Sequence, residues 1–116
     1  LKGKARGILV MGDMLELGRA AADLHRQTGK RAGAADLALL YAHGPHADEV
    51  AGGARAAGMA ADRIKTGTVP AICSDLTARL QSGDWVLVKG SRGMKMERVV
   101  EALTTWARTD AEDKAR

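Results

Sequence analysis

Four short apolar runs punctuate the chain: 7–11 (GILVM), 37–42 (LALLYA), 63–66 (RIKT) and 85–89 (WVLVK). Three of them are nearly continuous rather than alternating, the pattern of parallel strands covered on both faces. Between and after them lie Ala-rich, charge-decorated stretches of helical length, 17–33, 46–58, 69–82 and 94–108. Pro45 and Pro70 suit helix starts, Gly33 and Gly58 suit helix stops, and Gly83-Asp84 suits a turn into the last strand. The resulting β-α-β-α-β-α-β-α order predicts an α/β fold with a mostly parallel sheet, right-handed crossovers and flanking helices.

Length confines this pattern to one domain over 1–108, with a polar tail, TDAEDKAR, over 109–116 that is expected to fray. Aromatic residues make up 3% of the chain and Phe is absent, so the core must come from Ala, Leu, Val, Ile and Met. Eighteen basic residues against fourteen acidic ones give a net charge of +4. That charge permits anionic partners, but its even spread and the scarcity of aromatics for base stacking argue against nucleic acid. A single cysteine, Cys73, excludes an intramolecular disulfide and suits a reducing, cytoplasmic setting. No run approaches the roughly 20 apolar residues of a membrane helix. Because residue 1 is Leu, the chain is expected to be a piece of a longer protein.

Ligands on parallel sheets sit at the carboxyl ends of the strands, which selects three loops: 12–18, 43–46 and 89–93. In the last, Lys89, Gly90, Ser91 and Arg92 lie between a strand and a helix, where backbone N–H groups and the helix dipole favour an anion. Arg92 could grip a carboxylate with two parallel bonds; the plainer alternative is a tight glycine turn with solvated basic side chains. In GDMLELG, Asp13 and Glu16 could orient an amine or pair with Lys89 or Arg92, or could simply cap a helix whose Met14, Leu15 and Leu17 fill core. His43 and His46 flank a proline turn with no third zinc-like ligand in sight, so no metal is expected. His25 sits in a helical run and suits a packed, hydrogen-bonded histidine, and Cys73 a buried structural thiol. Neither GxxxxGK[ST] nor GxGxxG occurs, so no usual loop for ATP phosphates is present.

ILVMGDMLELG, with His25 and the Gly29-Lys30-x-Ala32 helix behind it, together with GDWVLVKGSRGMKMERVVEAL at 83–103, resembles the C-terminal domain of the Mur ligases. The likeness covers about 100 residues and leans toward the branch that adds D-alanyl-D-alanine. It implies a Rossmann-like domain, lacking the first strand and helix of the family domain, that acts as a substrate-binding lid of an ATP-dependent ligase in peptidoglycan synthesis. In that chemistry ATP phosphorylates the carboxylate of UDP-N-acetylmuramoyl-tripeptide and the dipeptide amine attacks the acyl phosphate. ATP and Mg2+ would be held mainly by a central ATPase domain of the same chain. The resemblance assigns Lys89, Gly90, Ser91 and Arg92 to the dipeptide carboxylate and Asp13 and Glu16 to its amine or to a partner loop. It places no catalytic residue, metal or cofactor in these 116 residues, which alone should be inactive. A missing first strand would leave an open sheet edge prone to self-association. The alternative is a stand-alone anion-binding or partner-docking α/β module without catalysis.

Overall fold

The computed structural model describes residues 6–14, 18–90 and 96–114, with side chains of the last helix through Thr109. Four strands, β1 (Gly7–Met11), β2 (Leu39–Ala42), β3 (Ile64–Thr66) and β4 (Trp85–Lys89), form one sheet in the order β3-β2-β1-β4. Every pairing is parallel, with Met11 beside Ala42 on one flank and Lys89 on the other. The helices are α1 (Ala21–Ala34), α2 (Ala47–Ala56), α3 (Val69–Arg79) and α4 (Glu97–Lys114). The expected α/β alternation is therefore present.

Alternating side chains of the central strands face two cores. Leu9, Met11, Leu40 and Ala42 pack with Ala32 of α1 and Ala47, Val50 and Ala54 of α2. On the other face, Ile8, Val10, Leu39 and Tyr41 meet Val69, Ile72 and Leu76 of α3 and Val99 of α4. Small residues bring α1 and α2 unusually close. A methyl group at Gly29 would run into the Val50 carbonyl, and one at Gly53 into the Arg26 carbonyl.

Several sequence expectations need correction. Gly33 does not stop α1, which continues to Ala34, with Asp36 taking a left-handed φ of 57° beyond it. Gly33 instead admits the α2 backbone, since a Cβ there would lie 2.5 Å from the Ala54 carbonyl oxygen. Gly58 does follow the end of α2, with φ of 103°. Pro70 opens α3, where the Thr68 hydroxyl accepts a bond from the Ala71 N–H at 3.2 Å. The last helix runs to Lys114, so residues 109–114 are helical rather than a frayed tail. Cys73 is half-buried rather than enclosed, and partial desolvation raises its thiol pKa. β4 is not covered on both faces: Val86 and Val88 are half-buried, while Trp85, Leu87 and Lys89 are exposed.

The chain winds from β1 through β2 to β3 with α1 and α2 on one face, then returns through α3 on the other to place β4 beside β1. Winding thus reverses between β1 and β4, and the crevice at their carboxyl ends is where ligands bind such sheets.

Candidate functional site

At that crevice the Gly12 N–H donates to the Lys89 carbonyl at 2.8 Å, extending the ladder one residue past the strands. Gly90 lies against Gly12 and the Met96 side chain. The loops after β1 and β4, each singled out from sequence, are therefore direct neighbours. Lys89 is exposed at the end of β4. An apolar groove of about 650 Å³ runs from Lys89 and Gly90 down between β4 and α1, past Met14, Leu9, Trp85 and Leu87. Glu16, Ser91 and Arg92 lie outside the described residues.

Asp13 is 3% exposed and is committed to His46. Its Oδ1 accepts the His46 backbone N–H at 3.0 Å, and its Oδ2 accepts from His46 Nδ1 at 2.7 Å. Among the described residues it makes no pair with Lys89; its titratable neighbours are His46 and, at 3.9 Å, His25. The acid does serve a helix start, but that of α2 rather than α1: His46 is the α2 N-cap residue, and α1 has no side-chain cap. Gly44, at φ of 116°, is required on two counts, because its backbone is left-handed and a Cβ would sit 2.5 Å from Asp13 Oδ1.

His25 is fully buried and hydrogen-bonded, as its helical setting suggested. Its Nε2 accepts the Met14 N–H at 3.0 Å, so Nδ1 carries the proton and donates to the Ala21 carbonyl at 2.6 Å. This ties the loop after β1 to the first turn of α1. The His25 and His46 rings stack at 4.5 Å with 14° between planes. The two histidines of HGPH diverge, for His43 Nδ1 bonds instead to the Gly67 carbonyl at 2.9 Å.

The sequence shows no third ligand near His43 and His46; the fold supplies Asp13 and His25 from distant positions. Ligand atoms of Asp13, His25 and His46 all lie within 4.8 Å of one another. Hydrogen bonds already engage the Nε2 lone pair of His25 and both Asp13 oxygens, which leaves His46 Nε2 as the ring atom of the cluster without a bond among the described residues. The signal missed in sequence was the glycine two residues before His46, which lets Asp13 approach.

Residues 1–92 match the family model described as Mur ligase, glutamate ligase domain, a stretch that includes the loop after β1 and reaches into the loop after β4. The chain is 36% identical over 95 residues to a UDP-N-acetylmuramoyl-tripeptide–D-alanyl-D-alanine ligase of Treponema pallidum, covering 79% of this chain and 20% of the relative. A ligase of the same name from Bacillus subtilis is 31% identical over 104 residues, or 89% of this chain and 22% of the relative. Among solved structures, MurF from Acinetobacter baumannii superposes with a TM-score of 0.73 at 26% identity, over 86% of this chain and 22% of that one. MurF ligase from Thermotoga maritima, in complex with ADP, gives 0.71 at 26% identity, over 91% and 23%. The chain spans about a fifth of the length of the curated relatives it matches.

Proposed function

The chain belongs to the Mur ligase family, and on that premise we propose that it is the substrate-binding lid of an ATP-dependent ligase joining D-alanyl-D-alanine to UDP-N-acetylmuramoyl-tripeptide in peptidoglycan synthesis. The observation that carries this reading is the continuity of the match from the loop after β1 into the loop after β4, at the crevice where a parallel sheet binds its ligand. Relatives bearing that name share the stretch at 31–36% identity.

In this reading ATP and Mg2+ belong to the central ATPase domain, outside these 116 residues, and the enzyme works in the cytoplasm. No helix among the described residues is long and apolar enough to cross a membrane. Lys89, with Gly90, Ser91 and Arg92 beside it, takes the dipeptide carboxylate: Lys89 as a point charge and Arg92 through its two-pronged guanidinium. Gly90 keeps the loop low against Gly12, so that the dipeptide can reach the crevice. Positioning of this kind converts attack of the amine on the acyl phosphate into an effectively unimolecular step.

The test is ADP release by the intact ligase. It should require both tripeptide and dipeptide, and the 116-residue chain alone should release none. Release independent of the dipeptide would contradict the reading. Binding of simple anions without preference for D-alanyl-D-alanine would favour a stand-alone anion-binding module.

A further inference from the structure

We propose that His46 recognises the ammonium group of the incoming dipeptide, with buried Asp13 as its positioning residue; this rests on the ligase reading above. A carboxylate can only accept hydrogen bonds, so the 2.7 Å contact with Asp13 Oδ2 places the His46 proton on Nδ1. In the neutral ring with that tautomer, Nε2 is the acceptor. Among the described residues nothing hydrogen-bonds Nε2, and the His46 side chain keeps 30% exposure.

The other two members of the cluster cannot take this role. Asp13 is 3% exposed, and each of its oxygens already accepts a bond from His46. His25 is fully buried with both nitrogens bonded, and contributes by stacking on the His46 ring at 4.5 Å, which fixes its plane. An amine brought to this cluster therefore meets His46 rather than Asp13.

Position supports a ligand with charges at both ends. Lys89, Met11 and Ala42 lie in register across three adjacent strands, and His46 follows four residues after Ala42. Strands about 4.8 Å apart put the backbones of Lys89 and Ala42 on the order of 10 Å apart. An extended dipeptide spans roughly 7 Å, and the Lys89 side chain can make up the remainder. The crevice thus offers a cation for a carboxylate at one end and an oriented acceptor for an ammonium at the other. A simple anion would use only the first.

Two variants of the intact ligase test this: His46→Ala, which keeps the backbone N–H that bonds Asp13, and Asp13→Asn. In the second, the amide oxygen can keep the backbone bond while the NH2 faces His46 Nδ1. The ring proton is then driven to Nε2, turning acceptor into donor. Each variant should raise the dipeptide KM about ten- to a hundredfold, the effect of one bond to a charged group. Inhibition by N-acetyl-D-alanyl-D-alanine, which lacks the ammonium, should stay within about twofold of wild type by the same reasoning. An unchanged dipeptide KM overturns the proposal, as does a parallel loss of dipeptide and acetylated inhibitor, which would make His46 a structural part of its loop. Wild-type enzyme lacking dipeptide-dependent ADP release would remove the ligase reading itself, and this inference with it.

Discussion

Arg6 and Asp84 stand immediately before β1 and β4 and join the two strands at the edge opposite the crevice. The guanidinium donates to both carboxylate oxygens, at 3.0 and 2.7 Å, and the Gln81 N–H adds a third bond at 2.8 Å. These bonds, Arg6 first, hold the Asp84 carboxyl below its usual range. A carboxyl whose folded pKa is depressed contributes stability that is present above its unfolded pKa, near 4, and is lost as pH falls through the folded value. Arg6→Ala should therefore cost about 1–2 kcal/mol at pH 7, the lower end being expected because Arg6 is partly solvated. Urea midpoints of the 116-residue chain should show that gap closing as the pH drops below about 4. A gap constant from neutral to acid would separate the pair from stability. Residue-scale features of this kind were the least legible in sequence. Arg6 with Asp84, and His46 with Asp13, are separated by tens of positions and meet only because two strands lie adjacent. Gly33 looked like a helix stop because a helix–helix contact leaves the same residue type.

Elements were legible where burial is complete. β1 and β2 are covered on both faces, and their continuous apolar runs were read correctly. β4 has an equally apolar run but is an edge strand among the described residues, and its exposed Trp85 indole lies over Gly7 while Leu87 faces the groove beside α1. Handedness suggests what the apolar run is for. β1 and β2 are joined by a crossover on the α1 face, leading away from β4. A strand laid on the free edge of β4 and returning to β1 by a right-handed crossover moves in the same sense, so its helix also falls on the α1 face, over Trp85 and Leu87. We propose that a strand and helix preceding β1 in the intact protein would take that place. In a Trp106→Phe background, Trp85 emission should be solvent-like in the 116-residue chain. It should be blue-shifted and shielded from acrylamide in a chain extended upstream by that strand and helix. Equal quenching in both would show that the β4 face is covered by something else or left open.

For the whole molecule, the α/β class and parallel sheet followed from the alternation of apolar runs with Ala-rich amphipathic stretches. The family followed from two motifs that the fold then set side by side. Chain order alone could not show that their loops touch through Gly12 and Lys89, because that contact comes from the return of the chain through α3 across the sheet. The molecule is thereby a scaffold that presents one crevice, with charge at the end of β4 and an oriented histidine at the start of α2. On the proposed reading as a substrate-binding lid, damage to the basic loop should weaken one substrate selectively. The most direct measurement is steady-state kinetics of the intact ligase with Lys89→Ala and Arg92→Ala. Each should raise the dipeptide KM about tenfold or more, the loss of a bond to a charged group, with the ATP KM within about twofold. A dipeptide KM that stays at the wild-type value, or an ATP KM that rises as far, would contradict this reading.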